Sequence, residues 1–117
     1  MVTVNPAKAL RIENKVGQIE EGFNADLLIL KIQDFENPHA NVRLADTEDI
    51  EMLFRNGNPI LYKTKYSHLF DLKTNSNRQE ISLRNIDYKV VGDLNGLMER
   101  INQNVGFKKY LPFIPIS

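Results

Sequence analysis

The side chains able to do chemistry are few and scattered. The 117-residue chain has two histidines, His39 and His68, and no cysteine. The histidines stand far apart in the sequence, and neither has a partner at metal-ligand spacing, so loop or surface positions are expected for both. Without cysteine the chain has no disulfide, no thiolate metal site and no thiol nucleophile. Asp46, Glu48, Asp49 and Glu51 form an acidic run. It lacks the glycine and the ligand spacing of a calcium loop, and it reads as a solvated approach to a strand. Ser67, Ser76, Ser82 and Ser117 have no Gly-x-Ser-x-Gly context, which disfavours a serine nucleophile. The glycines lack phosphate-loop spacing. Tyr62, Tyr66 and Tyr88 fall at predicted strand positions, where packing is the expected use. These residues nominate no catalytic, cofactor-binding or metal-binding site within the chain.

Size and charge narrow what could position any such group. One domain, residues 1–117, is expected, and a chain of this length can bury roughly two thirds of its unfolded surface. It is too short for a (β/α)₈ barrel, which needs about 200 residues or more. No apolar run approaches the ~18 residues of a membrane span, and residues 2–6 are too short and polar for a secretory signal. A cytoplasmic setting is the default expectation. The formal net charge of zero argues against nucleic acid as the main partner. Charge is nevertheless uneven: residues 20–51 carry nine acids against Lys31 and Arg43, whereas residues 52–117 carry ten bases against five acids. Two solvated faces of one domain would account for this, as would a self-complementary surface that joins copies.

The elements follow from local pattern. Thr3 or Asn5 can cap a short helix with Pro6 in its first turn, where a missing N–H does no harm. Gly17 helps to end that segment, and Gly22 and Asn24 suit positive-φ positions in the next turn. Leu27–Leu30 with Ile32 is a continuous apolar run, expected to be a strand covered on both faces. Residues 33–49, polar and containing Pro38, read as a loop or irregular edge. Residues 50–55 and 60–66 flank Asn56-Gly57, the pairing expected of a type I′ hairpin. A two-residue turn sets Leu53 opposite Ile60 and Met52 opposite Leu61. Pro59 marks an edge or the start of a strand. Leu69–Leu72 reads as a further strand and residues 74–77 as a loop. Residues 80–83 and 86–91 alternate around Arg84-Asn85 as a second hairpin. Asp93 caps a helix whose stripe is Leu94, Leu97, Met98, Ile101 and Val105, with Gly106 at its end. The apolar tail from Phe107 to Ile116 is expected to dock as an extended strap.

Thr3, Asn5-Pro6-Ala7-Lys8-Ala9-Leu10, then Gly17, Ile19, Glu20, Gly22, Ala25-Asp26-Leu27, then Phe54-Arg55-Asn56-Gly57-Asn58-Pro59-Ile60 with Tyr62, occur in an order that resembles the C-terminal junction of metal-dependent amidohydrolases, the imidazolonepropionase-like kind among them. The resemblance covers about residues 3–62, half the chain, and is weaker beyond. It implies a mainly β (α+β) fold: the C-terminal part of the composite β-sandwich, with a short N-terminal helix and an amphipathic C-terminal helix. Residues 3–12 would be the remnant of the helix leaving the barrel, 16–91 the sandwich strands, and 93–117 the C-terminal helix and tail. Asp26 would anchor its turn through backbone hydrogen bonds. The family's ligands for one or two divalent metals, commonly zinc, would lie upstream of Thr3, so none carries over and no cofactor is expected in this chain. With only Met1 and Val2 ahead of Thr3, the chain resembles the back end of a C–N hydrolase. The expected partners are a second copy, as a homodimer, or the barrel itself. The alternative is a stand-alone binding or assembly module.

Overall fold

The computed structural model describes residues 3–70 and 77–108. Its elements are α1 (Val4–Ala9), β1 (Leu27–Leu30), α2 (Pro38–Leu44), β2 (Ile50–Arg55), β3 (Asn58–Lys63), α3 (Ser67–Phe70), β4 (Arg78–Leu83), β5 (Ile86–Val91) and α4 (Leu94–Val105), with tight helical turns at Thr47–Asp49 and Thr64–Tyr66. The strands form one antiparallel sheet in the order β1-β2-β3-β5-β4. The chain is therefore sheet-based with short helices.

Both hairpins form where the turn residues place them. Asn56 and Gly57 have φ of 49° and 75°, and Arg84 and Asn85 have 48° and 66°. Two successive positive φ values match the right-handed twist of the flanking strands. The first hairpin departs from the simple register. Arg55 faces Asn58 and Phe54 faces Pro59, but Leu53 then faces Leu61 and Met52 faces Tyr62. Ile60 is the additional residue of a bulge, which shifts the expected Leu53–Ile60 and Met52–Leu61 pairs by one. Pro59 sits at the start of β3, before the Leu61–Val90 rung where β5 begins to pair, so its missing donor breaks no ladder bond there.

The register places the core. Successive strand residues alternate between faces, and directly opposed residues share one. Met52, Phe54 and Tyr62 therefore lie on one face, and Glu51, Lys63 and Tyr88 on the other. Tyr62 and Tyr88 are both wholly buried. The centre of the sheet is thus covered on both sides. On the Tyr62 side the cover includes Phe70 of α3, with ring centroids 4.9 Å apart. On the Tyr88 side it includes the 47–49 turn, whose Thr47 carbonyl accepts from Tyr88 Oη at 2.9 Å.

Four expectations are corrected. Leu27–Leu30 is an edge strand, not one covered on both faces: Leu28 and Ile29 are 55% and 42% exposed. Residues 33–49 are not a plain loop, because Asn37 accepts from the Ala40 amide and Pro38 opens α2 at a position where no N–H is needed. Leu69 and Phe70 belong to a helical turn, and the strand expected over 60–66 ends at Lys63. The remainder of the 69–72 strand, most of the 74–77 loop and the tail beyond Lys108 lie outside the described residues.

α1 and α4 form near their expected limits. Thr3 occupies the α1 N-cap without a side-chain bond, and the helix stops at Ala9. Gly17 has φ +98°, and a Cβ there would stand 3.0 Å from the Cβ of buried Ala7, so the two small residues let the following turn close onto α1. Asp93 caps α4 by accepting from Gly96 N at 2.9 Å, and Gly106 ends it at φ 73°. Of its stripe only Met98 is fully buried.

Candidate functional site

The densest group of polar side chains surrounds Glu51. β2 delivers Glu51 and β3 delivers Lys63 to the same face of the sheet, and the turn after β3 adds Lys65 and Tyr66. Lys63 Nζ donates to Glu51 Oε1 at 2.6 Å and to the Glu48 carbonyl at 2.8 Å. Glu51 Oε2 receives Lys65 Nζ at 2.6 Å and the Tyr66 hydroxyl at 2.7 Å. The side chains of Glu51 and Lys63 are 11% and 10% exposed, whereas that of Lys65 is 57% exposed. The acidic run is therefore not simply a solvated approach, because its last member is buried and paired.

These contacts determine what the carboxylate can do. Burial pushes the Glu51 carboxyl upward, but hydrogen bonds from Lys63, Lys65 and Tyr66 outweigh it and bring the pKa from 4.5 down to about 2. Glu51 thus holds its charge and is poorly placed to act as a general acid or base. The same carboxylate and the Tyr66 hydroxyl raise the Lys65 pKa, which disfavours a neutral amine nucleophile. Burial, followed by the Glu51, Glu48 and Asp49 carboxylates, pushes the Tyr88 phenol upward. The group is chemically quiet and built for cohesion.

One pH prediction follows. A carboxyl at about 2 when folded and 4.5 when unfolded contributes stability that is complete above pH 4.5 and is lost as pH falls toward 2. The shift corresponds to about 3 kcal/mol. Urea unfolding should show the midpoint dropping through that acid window, and Glu51→Gln should flatten the drop. An equally steep acid loss in the variant would remove Glu51 as its cause.

The rest of the acidic run is also spoken for. Asp46 and Asp49 cap the 47–49 turn reciprocally, and Arg84 at the second hairpin tip pairs with Asp46 and, at 3.5 Å, with Glu48. Contacts to Thr47 and Arg84 lower the Asp46 pKa. The acidic and basic parts of the sequence therefore meet inside one chain here, and do not form only separate solvated faces. The predicted hairpin segments 50–55 and 60–66 place Glu51 and Lys63 among apolar neighbours, the one signal available, but the simple register sets Glu51 against Tyr62, and only the bulge at Ile60 brings Lys63 to it.

The other nominated residues stay apart from this group. His39 lies exposed on α2; His68 lies exposed on α3 with Nδ1 3.1 Å from the Lys65 carbonyl. No group of three or more histidine, cysteine, aspartate or glutamate side chains suited to a metal occurs among the described residues. Both Glu51 oxygens are already committed to protein donors. This donor set does not fit a divalent catalytic metal. Ser67 Oγ is buried without a hydrogen-bond partner, so no base activates it, and Ser82 is exposed. Ser76 and Ser117 lie outside the described residues. Tyr62 and Tyr88 pack in strands, but Tyr66 lies in a turn.

A second constellation comprises residues that carry no chemistry. Asp26 Oδ1 accepts from Asn56 N at 2.7 Å, and the Ala25 carbonyl accepts from Gly57 N at 2.9 Å. The Ala-Asp step before β1 thus clasps the tip of the first hairpin, 30 residues away. Asp26→Ala should remove about 1 kcal/mol and speed amide exchange at Asn56, since a bond to a carboxylate at an exposed site lies at the weak end of its range. Unchanged exchange there would refute the clasp. A buried side chain that the sequence reading passed over, Asn41 of α2, shapes the preceding loop. Its Oδ1 accepts from Gln33 N and Asp34 N, both at 2.8 Å, and its Nδ2 donates to the Asp34 carbonyl at 2.7 Å.

Comparison with known proteins bears on this geometry. The sequence model of the amidohydrolase family matches residues 1–61. A curated relative, the 5-methylthioadenosine/S-adenosylhomocysteine deaminase of Acetivibrio thermocellus, is 29% identical over 93 residues, covering 72% of this chain and 21% of that protein. The chain therefore spans about a fifth of the length of that relative. No solved structure matches it.

Proposed function

Because this chain belongs to the amidohydrolase family, we propose that it serves as a non-catalytic C-terminal scaffold of such an enzyme, contributing strands to a composite β-sandwich beside a catalytic barrel. The observation that carries this reading is the use of the family-matched residues. Ala7 packs on Gly17, Asp26 clasps Asn56, and Ala25 binds Gly57. Each holds one segment against another, and none enters a group able to activate water. The whole enzyme would hydrolyse a non-peptide C–N bond, as deamination does in the named relative. Its one or two divalent metals, commonly zinc, would be held by the barrel portion, because the donors here do not fit one. A cytoplasmic setting, and a partner that is either the barrel or a second copy, belong to the same proposal.

The open apolar edge of β1 also favours a second reading, in which the chain is an assembly module in its own right. Co-expression separates the two. The Acetivibrio relative, deprived of the segment this chain matches, should recover solubility and deaminase activity when this chain is supplied, while this chain alone turns over nothing. Recovery favours the scaffold. Turnover by the chain alone, abolished when His39 and His68 are replaced and so traced to its own side chains, would sink it.

A further inference from the structure

The two edges of the sheet are protected unequally. β4 presents Arg78, Glu80 and Ser82 along an edge strand, the charged and polar character that discourages unwanted pairing. β1 is Leu27-Leu28-Ile29-Leu30, with neither charge nor proline, and no strand lies outside it among the described residues. Beside it, Leu28, Leu30, Ile32, Phe35 and Val42 help to line a groove of about 260 Å³ between β1 and α2. Phe35 is 83% exposed, and Ile32 and Val42 about half exposed. A row of backbone donors and acceptors that meets no further strand among the described residues, next to an apolar groove, is a template for strand addition.

The charges that bracket β1 select the occupant. Asp26 precedes the strand and Lys31 follows it, and both are exposed. Antiparallel pairing with an identical strand brings the acidic end of each beside the basic end of the other. Parallel pairing would set like charges side by side. The formal net charge of zero adds no long-range repulsion between copies. We propose that two copies of this chain associate through β1, antiparallel about a two-fold axis normal to the sheet, making one continuous ten-stranded sheet from two five-stranded ones. Such an axis pairs only residues of the same face. The register that sets the apolar residues against one another places Ile29 against its counterpart and Leu28 against the counterpart of Leu30. The grooves of both copies then lie on one side, adjoining across the axis. This inference deepens the scaffold reading and rests on it for one point, that the chain works by packing against a partner.

Light scattering on the full chain, from micromolar to near-millimolar, tests it. The chain should pass from monomer to dimer as concentration rises. Ile29→Lys and Ile29→Glu should each raise the dimer dissociation constant by about tenfold or more, because like charges then oppose across the axis. An equimolar mixture of the two should recover a dimer containing one of each. Far-UV circular dichroism verifies that each variant is folded, and Leu28→Lys, at a more exposed position, serves if Ile29→Lys is not. Phe107→Ser, at an exposed apolar residue beyond α4, should leave the dimer intact. A chain monomeric throughout, a dimer that survives Ile29→Lys, or a charge-swapped pair that fails to recombine overturns the proposal. A chain monomeric alone that still restores the deaminase barrel overturns self-pairing and leaves the scaffold reading standing. Turnover by the chain alone overturns the scaffold reading and leaves β1 pairing to be judged on the scattering.

Discussion

Glu51→Ala should lower the unfolding free energy by about 3 to 5 kcal/mol, because removing one partner strands the other buried charge. Lys63 would keep a single acceptor, the Glu48 carbonyl, in a position where its side chain is 10% exposed. Tyr66 would lose the acceptor of its hydroxyl. Lys65, more than half exposed, can turn to water, so its share is below about 1 kcal/mol. The sign should reverse when both buried partners are replaced together. Glu51→Leu with Lys63→Met exchanges a desolvated pair for apolar packing and should recover most of the loss. Urea unfolding at neutral pH measures both, and a single variant that loses less than about 1 kcal/mol would show that water reaches the pair freely.

Tyr62→Ala should remove a comparable amount, about 3 to 5 kcal/mol, by opening a cavity at the centre of the sheet. Tyr62 is wholly buried, and its ring meets Phe70 at 4.9 Å while the Arg78 guanidinium stands 5.4 Å from its centroid. Phe70 in turn meets Phe54 edge-on at 5.9 Å. Truncation therefore unseats α3 as well as the sheet, and thermal melts should show both in one transition. Phe35→Ala is the matched contrast. That ring is almost fully exposed, and its loss should stay within about 0.5 kcal/mol. Equal losses at the two positions would mean that the sheet centre is not where the cohesion lies.

Much of this architecture is legible in short-range chemistry. Asn56-Gly57 and Arg84-Asn85 announce their turns, Asp93 announces α4, and Gly106 its end, because each depends on a few neighbouring backbone angles. The family pattern of residues 3–62 was readable for the same reason. What escaped depends on partners distant in sequence. Pro38 reads as part of a loop or irregular edge, since only the capping geometry of Asn37 reveals it as the start of α2. The Ile60 bulge is invisible without the opposing strand. Glu51 read as a solvent-facing acid until Lys63 stood opposite it. Leu27–Leu30 was expected to be buried because it is apolar, yet composition says nothing about whether a strand lies at the middle of a sheet or at its margin.

The clasp between Asp26 and Asn56 has an evolutionary corollary. It ties the two signature segments directly, so the excursion between β1 and the 47–49 turn hangs as a side loop pinned mainly by Asn41 to its own neck. Relatives could lengthen, shorten or replace that excursion without loosening the junction. Alignment gaps should accumulate between residues 33 and 45, and scarcely at all at the two ends the clasp joins.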